Sequence, residues 1–408
     1  MPKMLYNMDR RVIVLRKLGV LGGTFDPIHA GHIALAREAL RLGGLDGVIL
    51  LPMARPAHRE ADAGAPDRLA MCRLAIEDEK GLLLSQAGMA PGVKYTWDTV
   101  APLRREFPQA EFVFLIGADK LVSLPYWYQA EQLFAQCGFL CFARSGVAAE
   151  EALEKARRAG ARIELLPEFR TPYSASMIRL QSAQYQDAPG LNPKVLSYMA
   201  LHGLYQPDFI PKLKTMMNPH RFQHTLGVRK EAVRLAGVHG LPIQKAALAG
   251  LLHDCAKGMS LKDMARLARE EHLTEDEAIL TSGALLHAPV GAYLAKKEFG
   301  IRDEDVLNAI RSHTVGRAGM SRLEMCVFVA DATEENREDY RGLAQLRRLA
   351  DVSLPAAVYR SFQLTQEYLK ETNRAFDPSS LKTMAYVKGL MTPEEKRLLA
   401  LEEEEGGI

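Results

Sequence analysis

The chain has 408 residues, of which 48% are hydrophobic and 25% charged, and its formal net charge is +2. This composition is typical of a globular protein, and a chain of this length forms two or three domains at roughly 150 residues per domain. The composition excludes whole-chain disorder, collagen and coiled-coil arrays, and the near-zero charge excludes binding to nucleic acid by charge alone.

The cysteines are scattered and form no CxxC pair: Cys72, Cys137, Cys141, Cys255 and Cys326. Such an odd, scattered set favours neither a disulfide framework nor a zinc ribbon, and it suits a reducing compartment. No apolar run approaches the ~18 residues of a membrane span, and the run at 12–15 is too short for the core of a signal peptide. We therefore expect a cytoplasmic protein without membrane association, and we interpret residues 1–10 as a leader of undefined role.

The first half of the chain, from residue 11 to 205, alternates short apolar runs with helical patterns. The apolar runs predict strands at 17–21, 48–51, 82–84, 111–116, 138–143 and 162–166, and helices are predicted at 33–42, 68–76 and 150–159. This alternation favours a Rossmann-like α/β domain, with a doubly wound parallel sheet and helices on both faces. Ligands of such sheets bind at the carboxyl ends of the strands.

Pro207 and Pro211 mark a change of pattern, after which helical periodicity dominates. Helices are predicted at 226–238, 245–252, 261–271, 290–299, 305–312, 323–331 and 354–371, which favours an all-α bundle with its own core. We place one domain at 11–206 and the other at 208–390. An acidic helical tail at 391–408 follows. It begins with a capping box at Thr392 and Glu395, and we expect its acidic end to be solvated and frayed.

The segment GGTFDPIHAGH at 22–32 follows the first predicted strand and opens a helix. The adjacent glycines Gly22 and Gly23 allow a tight turn and let a phosphate approach the backbone. His29 and His32 share one face beside the positive end of the helix dipole. Two such imidazoles can neutralise oxygens of a pentacoordinate phosphorus without acting as nucleophiles. The plainer alternative is a glycine turn with two polar histidines at a helix cap.

This segment resembles the HxGH nucleotidylyltransferase superfamily, and closely the bacterial nicotinate-nucleotide adenylyltransferases. Further motifs of that family recur in order over residues 17–205: PAHR at 56–59, YTWDT at 95–99, IGAD at 116–119 and SASMIR at 174–179. The chain departs from the family pattern modestly, because Arg59 stands where lysine is usual and Ala175 and Ser176 replace serine and threonine. Residues 195–205 resemble the closing helix and strand of the family.

The resemblance implies transfer of AMP from ATP to nicotinate mononucleotide, which yields deamido-NAD and pyrophosphate for NAD biosynthesis. The mononucleotide phosphate would attack the α-phosphorus directly, with His29, His32 and Arg179 as catalytic residues. ATP would be bound by Gly22, Gly23, Thr24, His29, His32, Asp119, Ser174, Ser176 and Arg179. Nicotinate mononucleotide would be bound by Thr96 and Trp127. Mg²⁺ would enter on the nucleotide rather than in a protein cage.

The later motifs also have plainer interpretations. The segment 174–179 could form a phosphate cradle at a helix start, or simply a serine cap beside a surface arginine. Asp119 could accept ribose hydroxyls or belong to a turn. Trp127 could stack on a pyridine ring or fill the core. Thr96 could help to hold the substrate carboxylate or be an ordinary strand residue.

Histidines and aspartates of the second half occupy positions typical of metal ligands. They lie in or at the end of helical patterns: His224, His253, Asp254, His287, His313 and Asp331. Imidazole and carboxylate groups together suit iron, manganese, zinc or similar ions, and burying the set without a metal would leave polar groups unsatisfied. An aspartate beside His253 can bridge two ions. Lys257 shares the face of this pair, where its cation would meet a substrate phosphate.

The order His, His-Asp, Asp resembles the HD-domain phosphohydrolases. The segment LLHDCAK at 251–257 is most similar to the YqeK group, over about residues 218–390. That group splits diadenosine tetraphosphate symmetrically into two ADP. The resemblance implies one or two divalent ions, with iron expected and manganese or zinc as alternatives, and a metal-activated water for hydrolysis. The core ion would be bound by His224, His253, Asp254 and Asp331, and a second ion would add His287 and His313.

The sequence thus predicts a bifunctional enzyme that acts on ATP, nicotinate mononucleotide and diadenosine tetraphosphate, with no nucleic-acid partner and with homo-oligomer formation left open. Two alternatives remain. The first domain could serve another acceptor such as phosphopantetheine, although Trp127 and the segment 95–96 argue against it. The second domain could sense nucleotides without cleaving them, or hydrolyse a different nucleotide.

Overall fold

The computed structural model describes residues 16–54, 60–143, 147–374 and 376–405. The chain forms two compact units. The first takes in Met1–Gln181 and Ala188–Val195, and the second takes in Ser182–Asp187 and Leu196–Ile408. The PAHR segment at 56–59 and the leader at 1–10 lie outside the described residues, as do residues 11–15 of the first predicted domain.

The first unit is built on a parallel sheet. Its strands are β1 (Lys17–Gly23), β2 (Gly47–Pro52), β3 (Leu82–Leu84), β4 (Glu111–Gly117), β5 (Gly138–Phe142) and β6 (Ile163–Leu166). Their order is β3-β2-β1-β4-β5-β6, and every neighbouring pair is parallel. The predicted doubly wound α/β fold is confirmed, and its switch point lies between β1 and β4.

Helices connect successive strands of this sheet, and two further helices follow β6; the last of these belongs to the second unit from Leu196 on. They are α1 (Ala30–Leu42), α2 (Ala65–Ala75), α3 (Thr96–Glu106), α4 (Ala130–Gln136), α5 (Val147–Arg158), α6 (Ala175–Ala183) and α7 (Pro193–His202). Every residue of β2 and β5 is buried, as expected for strands of a parallel sheet that is covered on both faces. The core holds large apolar side chains from neighbouring strands, such as Leu18, Ile49, Phe112 and Phe139.

Thr96 begins a helix, so the interpretation of this residue as part of a strand is wrong. The carboxylate of Asp98 accepts hydrogen bonds from the backbone N–H groups of Lys94 and Tyr95, both at 2.9 Å. A side chain that accepts such bonds from the preceding residues stabilises a helix start. Thr96 is therefore the first residue of α3, at the positive end of its dipole.

The closing strand expected within residues 195–205 is also wrong. In this described segment α7 runs to His202, and turns follow it. Gly203 and Tyr205 both have φ angles of 63°, in the left-handed region. Glycine adopts that conformation readily, and it commonly ends a helix. The chain therefore turns after α7 instead of continuing into a strand.

The second unit is an all-α bundle, as predicted, and its described residues contain no strand. Its helices are α8 (Ile210–Met216), α9 (Pro219–His239), α10 (Ile243–Leu252), α11 (Leu261–Glu270), α12 (Glu277–Leu280), α13 (Gly283–Glu298), α14 (Glu304–Ser312), α15 (Arg322–Thr333), α16 (Leu343–Val352), α17 (Leu354–Glu371), α18 (Pro378–Leu390) and α19 (Pro393–Glu405). Helix α9 packs against α10 and α15, and α14 packs against α10, α13 and α15.

The last helix, α19, packs against α16 and α17. Its predicted capping box is confirmed, since the N–H of Glu395 donates to Thr392 Oγ1 at 3.2 Å and the N–H of Thr392 donates to Glu395 Oε2 at 2.8 Å. Glu402, however, is buried and accepts hydrogen bonds from Arg348 at 2.6 and 2.9 Å. The expectation of a solvated acidic end is therefore wrong at Glu402.

The five cysteines are all buried, and none of them forms a disulfide. Burial raises the pKa of Cys137 and Cys141 to about 11, so these thiols stay protonated at neutral pH. Within the part of the chain that the structure describes, no helix combines the length and the apolarity needed to cross a bilayer.

Replacing Glu402 by Gln should lower the free energy of unfolding of the second unit by about 1 kcal/mol, because the bond to a half-exposed arginine is charge-assisted but partly screened. Urea unfolding followed by circular dichroism measures the difference. Glu403→Gln, one position along the same helix, is the matched control and should change stability by less than about 0.5 kcal/mol. Equal values for the two variants would contradict the buried ion pair.

Candidate active sites

The glycine-histidine segment leaves β1 and enters α1 at the switch point of the sheet. A Cβ atom added at Gly22 would meet nothing within 4 Å, so the space beside this residue is open. A Cβ atom at Gly23 would lie 3.0 Å from the ring of Phe25, which itself has a φ of 49°. The two glycines therefore serve different purposes: Gly23 permits the tight turn, and Gly22 leaves room for a ligand near the backbone.

The two histidines of this segment lie against each other. Their ring centroids are 3.8 Å apart, and the backbone N–H of His29 donates to Nδ1 of His32 at 3.2 Å. Because Nδ1 of His32 accepts this bond, the neutral ring carries its proton on Nε2. Burial lowers the pKa of His29 to about 4, and burial together with His29 lowers the pKa of His32 to about 3. Both rings are thus neutral hydrogen-bonding groups at pH 7.

Arg179 reaches the loop before these histidines. Its Nη1 donates to the backbone oxygen of Asp26 at 2.7 Å, and its Nε lies 2.5 Å from Oδ2 of Asp62. The carboxylate of Asp26 accepts the N–H groups of Asp62 and Ala63 at 2.8 and 3.0 Å. The structure therefore brings Arg179 and the predicted phosphate-binding loop together across more than 150 residues of sequence.

Ser174 and Ser176 lie at the start of α6, the helix that carries Arg179, and both are exposed. Ser174 Oγ accepts the N–H of Met177 at 3.3 Å, so this serine does cap the helix. The segment before α6 also packs on α1, because a Cβ atom at Gly31 would lie 2.7 Å from Oγ1 of Thr171. A side chain at Gly31 would displace Thr171, so this third glycine of the motif sets how closely the segment approaches the histidines.

Arg68 was not predicted as part of the site, yet it holds the loops together. It is fully buried, and its guanidinium donates to the carbonyl oxygens of Thr24, Met53, Ala54 and Ala63 at 2.6 to 3.1 Å. These carbonyls belong to the segments that follow β1 and β2. Nothing in the local sequence distinguishes this arginine from the surface charges of an ordinary helix.

Asp119 lies in the short turn Ala118–Lys120 directly after β4, and it is exposed. Since β4 neighbours β1, this carboxylate and the glycine loop lie at the same edge of the sheet. Its position therefore agrees with both interpretations, a turn residue and an acceptor for ribose hydroxyls.

Trp127 is half-buried against the core of the first unit, and its Nε1 donates to Ser123 Oγ at 3.3 Å. The next residue, Tyr128, places its ring centroid 4.9 Å from that of Tyr95. This contact brings the start of α3, with Thr96, beside the segment of Trp127. The two residues predicted to bind nicotinate mononucleotide therefore belong to neighbouring segments.

Five helices of the second unit deliver the predicted metal ligands to one place. His224 lies on α9, His287 on α13 and Asp331 on α15. The remaining ligands directly follow helices, His253 and Asp254 after α10 and His313 after α14. Asp331 is half-buried and the other five are buried. All six lie in overlapping groups of three whose ligand atoms are within 4.8 Å of one another.

Asp254 lies between two pairs of histidines. Its Oδ1 is 3.1 Å from Nε2 of His287 and 3.8 Å from Nε2 of His313. Its Oδ2 is 3.5 Å from Nε2 of His253 and 3.9 Å from Nε2 of His224. One carboxylate thus presents each of its oxygens to a different pair of imidazoles, which is the arrangement of a bridging ligand.

The imidazoles are oriented as metal ligands require. Nδ1 of His253 donates to the carbonyl of Gly250 at 2.8 Å, and Nδ1 of His313 donates to that of Ile310 at 2.7 Å, so both rings turn Nε2 toward the cluster. Among the described residues, Nε2 of His253 is buried without a hydrogen-bond partner, and Nε2 of His224 lies 3.0 Å from Oδ1 of Asp331. Buried nitrogens of this kind, beside ionised carboxylates, fit one or two divalent metal ions.

The charge states of Asp254, Asp331 and His287 agree with metal binding. Burial would raise the pKa of Asp254, but His253, His287 and His313 overcome this effect and hold it well below its usual value. Burial likewise would raise the pKa of Asp331, whereas its neighbours, His224 first, lower it. Burial lowers the pKa of His287 to about 4. Ionised carboxylates and a neutral imidazole are the forms that bind a divalent cation.

Three residues around the cluster were missed in the sequence. Glu334 is buried, and its Oε1 lies 3.1 Å from Nδ1 of His224. Arg221 and Arg337 donate to Asp254 and Asp331 at 2.9 and 2.6 Å. A signal existed for two of them, because Arg221 precedes His224 by three residues and Glu334 follows Asp331 by three, a spacing that puts helix residues on one face.

A cavity of about 800 Å³ opens onto the group of six predicted metal ligands, which we call the metal cluster. Lys257 lines it, and its Nζ lies 3.0 Å from Nδ1 of His287. The other lining residues include the cations Arg221, Arg337 and Arg341 and the aromatic rings of Tyr340 and Tyr368. Cations beside metal ligands suit a ligand with several phosphates, and exposed rings suit the bases of nucleotides.

Comparisons with known families agree with this division of the chain. Residues 20–181 match the model of a family described as cytidylyltransferase-like, and residues 221–336 match the HD domain. The fold and the two sites therefore define a chain that joins an α/β nucleotidyltransferase to an HD-type phosphohydrolase.

Relatives show the same pairing. The chain is 31% identical over 366 residues to the "probable nicotinate-nucleotide adenylyltransferase/Ap4A hydrolase" of Mycoplasma genitalium, which covers 87% of this chain and 99% of that protein. The chain belongs to this family of fused nicotinate-nucleotide adenylyltransferase/Ap4A hydrolases.

Separate relatives match each half. The symmetrical bis(5'-nucleosyl)-tetraphosphatase of Halalkalibacterium halodurans is 42% identical over 171 residues, which covers 42% of this chain and 90% of that protein. The "probable nicotinate-nucleotide adenylyltransferase" of Gloeobacter violaceus is 38% identical over 197 residues, which covers 46% of this chain and 96% of that protein.

Acidification should destabilise the first unit through its two histidines. Their pKa values are about 4 and about 3 in the folded unit against an ordinary 6.5, so the unfolded chain takes up protons that the folded unit does not. Stability should therefore fall as the pH drops from 6.5 toward 4. His32→Asn should make this loss smaller. Urea unfolding followed by tryptophan fluorescence reports on this unit, because Trp97 and Trp127 both belong to it.

The control for this experiment is His220→Asn, since His220 is exposed and lies in the second unit. It should lose stability on acidification as the wild-type chain does. A His32→Asn variant with the wild-type pH dependence would contradict the burial of this ring.

Glu334→Gln should weaken binding of a divalent metal to the cluster by about 10- to 100-fold, because an amide polarises the imidazole of His224 less than a carboxylate does. Metal titration of the chelator-treated chain, with elemental analysis, measures the change. Glu335→Gln is the matched control, since Glu335 is exposed and forms an ion pair with Lys230 at the surface. Equal metal affinities in the two variants would refute the orienting role of Glu334.

Proposed function

We propose that the first unit transfers AMP from ATP to nicotinate mononucleotide, and that the second unit hydrolyses diadenosine tetraphosphate to two ADP. The observation that carries the proposal is the convergence of two different sets of side chains. Neutral histidines and an arginine meet at a glycine loop in the first unit, and buried histidines and aspartates meet in the second. The relative from Mycoplasma genitalium aligns with 87% of this chain across 99% of its own length, and its name supports the same two reactions.

In the first reaction a phosphate oxygen of nicotinate mononucleotide forms a bond to the α-phosphorus of ATP, and the bond to pyrophosphate breaks. No protein nucleophile is needed. The Nε2–H group of His32 donates to oxygens on the α-phosphorus, and the cation of Arg179 attracts the charge that develops there. His29 holds the ring of His32 through its backbone N–H. Mg²⁺ bound to the nucleotide would neutralise the leaving pyrophosphate.

The acceptor is held by the segments around Trp127 and Thr96. The ring of Trp127 is half-buried and offers a face to the pyridine ring, which favours stacking. Thr96 begins α3, where free backbone N–H groups and the helix dipole favour the nicotinate carboxylate. Gly22, Gly23, Thr24, Asp119, Ser174 and Ser176 complete the proposed ATP site.

In the second reaction the side chains of the cavity bind and orient the tetraphosphate. Lys257, Arg221 and Arg337 attract its oxygens, and the rings of Tyr340 and Tyr368 accept the adenine bases. His224, His253, Asp254 and Asp331 would hold one metal ion, and His287 and His313 would add a second. Such ions, with iron expected and manganese or zinc as alternatives, supply Lewis acidity to phosphate oxygens and lower the pKa of water.

We further propose a cytoplasmic location and the domain limits 11–206, 208–390 and 391–408. The buried, unpaired thiols suit a reducing compartment, and so do substrates that are cellular nucleotides. Size-exclusion chromatography with light scattering settles whether the chain forms homo-oligomers.

His32→Ala and Asp254→Ala should each remove one activity and spare the other. The first removes a donor to the α-phosphorus and should slow pyrophosphate release by about 10²-fold or more. The second removes the bridging carboxylate and should abolish ADP formation from diadenosine tetraphosphate, with loss of bound metal. Pyrophosphate release and ADP formation are measured on the same preparations, with elemental analysis of each.

His220→Ala, an exposed histidine at the start of α9, is the matched control and should keep both activities. A panel of acceptors that includes phosphopantetheine tests the first reaction, and absence of a preference for nicotinate mononucleotide would overturn the acceptor. A chain purified without stoichiometric metal, and inert toward diadenosine tetraphosphate with iron or manganese added, would make the second unit a sensor instead.

A further inference from the structure

The second unit contains another cavity, of about 360 Å³, which shares no residue with the lining of the metal cavity. Residues of α9 and α10 form one wall, and the segment 202–210 with Tyr185 forms the rest. The functions proposed above make no use of this cavity.

A buried arginine lines this cavity. Only 7% of Arg229 is exposed, and one of its donors, Nη2, bonds to the carbonyl of Ala200. Its Nε is buried, and among the described residues it has no hydrogen-bond partner. Burial lowers the pKa of Arg229 to about 10, which still leaves the guanidinium charged at neutral pH. A buried cation with an unused donor is costly unless an anion or a polar ligand satisfies it.

A second unsatisfied donor lies on the aromatic side of the cavity. The hydroxyl of Tyr185 is buried and, like Nε of Arg229, has no partner among the described residues. The ring of Tyr185 stacks on that of Phe209, with centroids 6.2 Å apart and an interplanar angle of 24°. Leu248 and Leu251 supply an apolar wall. The cavity therefore offers two polar donors within a largely apolar and aromatic surface.

The charge of the lining limits the kind of anion. Arg229 is accompanied by one carboxylate, Asp208, which accepts the N–H of Ile210 at 3.0 Å and forms no ion pair with Arg229 within the described ranges. The formal charges of this arginine and this aspartate cancel. A ligand with a single negative charge is therefore favoured over a phosphate dianion, which would add a second uncompensated charge.

We propose that this cavity binds a small monocarboxylate that carries a single aromatic ring. The carboxylate pairs with Arg229, whose planar donors match the geometry of a carboxylate. The ring packs between the aromatic pair of Tyr185 and Phe209 and the leucines of α10. The volume lies at the small end of the range for ligand sites, which suits one ring and one acid group rather than a dinucleotide.

The probe is benzoate. The control is benzamide, which has the same ring and an uncharged amide in place of the carboxylate. Saturation-transfer NMR on the full chain should show benzoate binding. At about ten times its dissociation constant, benzoate should raise the midpoint of thermal unfolding by a few degrees. Benzamide and inorganic phosphate should bind at least tenfold more weakly. These measurements use neither proposed enzymatic activity, so their outcome is independent of the proposed function.

Ala247→Phe tests the location, because Ala247 lines the cavity and a phenyl group there would fill it. Benzoate binding should disappear in this variant. Arg229→Gln tests the role of the charge and should weaken the binding of benzoate at least tenfold. This variant remains informative if Ala247→Phe does not fold. The proposal is overturned if benzoate does not bind the wild-type chain, if benzamide or phosphate binds as tightly, if the folded Ala247→Phe variant still binds benzoate, or if the folded Arg229→Gln variant binds benzoate as tightly as the wild-type chain.

Discussion

The second unit depends on one buried carboxylate. Asp254 is almost inaccessible to solvent, yet its two oxygens remain ionised because imidazoles surround them on both sides. Placing one charged group and four histidines inside a helical bundle is costly unless each polar atom finds a partner. The predicted ligands come from α9, α13 and α15 and from the residues that directly follow α10 and α14, and these five helices pack against one another. The helices of this half therefore surround a candidate site for cations.

The candidate site of the first unit contains neutral histidines instead of a buried ionised carboxylate. Its histidines are neutral because burial removes their charge, and they lie at the positive end of a helix rather than beside carboxylates. In the proposed reaction magnesium would arrive on ATP, so the site would need only hydrogen-bond donors and one cation, Arg179. Under the proposed function, the first unit would stabilise the charge on phosphorus with neutral donors and the second with metal ions.

Much of this architecture follows from local sequence. The strands are continuous apolar runs because helices cover both faces of the sheet, and such runs are visible without any structure. The candidate metal ligands can be predicted as a set because each lies beside apolar residues in a helical pattern. Thr96 was partly misinterpreted because the side chain that starts its helix, Asp98, follows it by two residues.

Long-range contacts account for what the sequence did not reveal. Arg68 bonds to a carbonyl 44 positions away, and Glu402 pairs with an arginine 54 positions away. Neither residue differs locally from an exposed charge, and only the fold decides that it is buried. Arg221 and Glu334 belong to a different class, since their spacing of three from a metal ligand was readable in the sequence and was overlooked.

Helix α9 carries both His224 of the metal cluster and Arg229 of the smaller cavity. A separation of five residues turns the helix by about 500°, so the two side chains leave it about 140° apart. Adding or removing one residue between them would rotate one side chain by about 100° relative to the other. An insertion or deletion in this stretch would therefore misalign either His224 with the other predicted ligands or Arg229 with the smaller cavity, whereas a point substitution would keep this alignment.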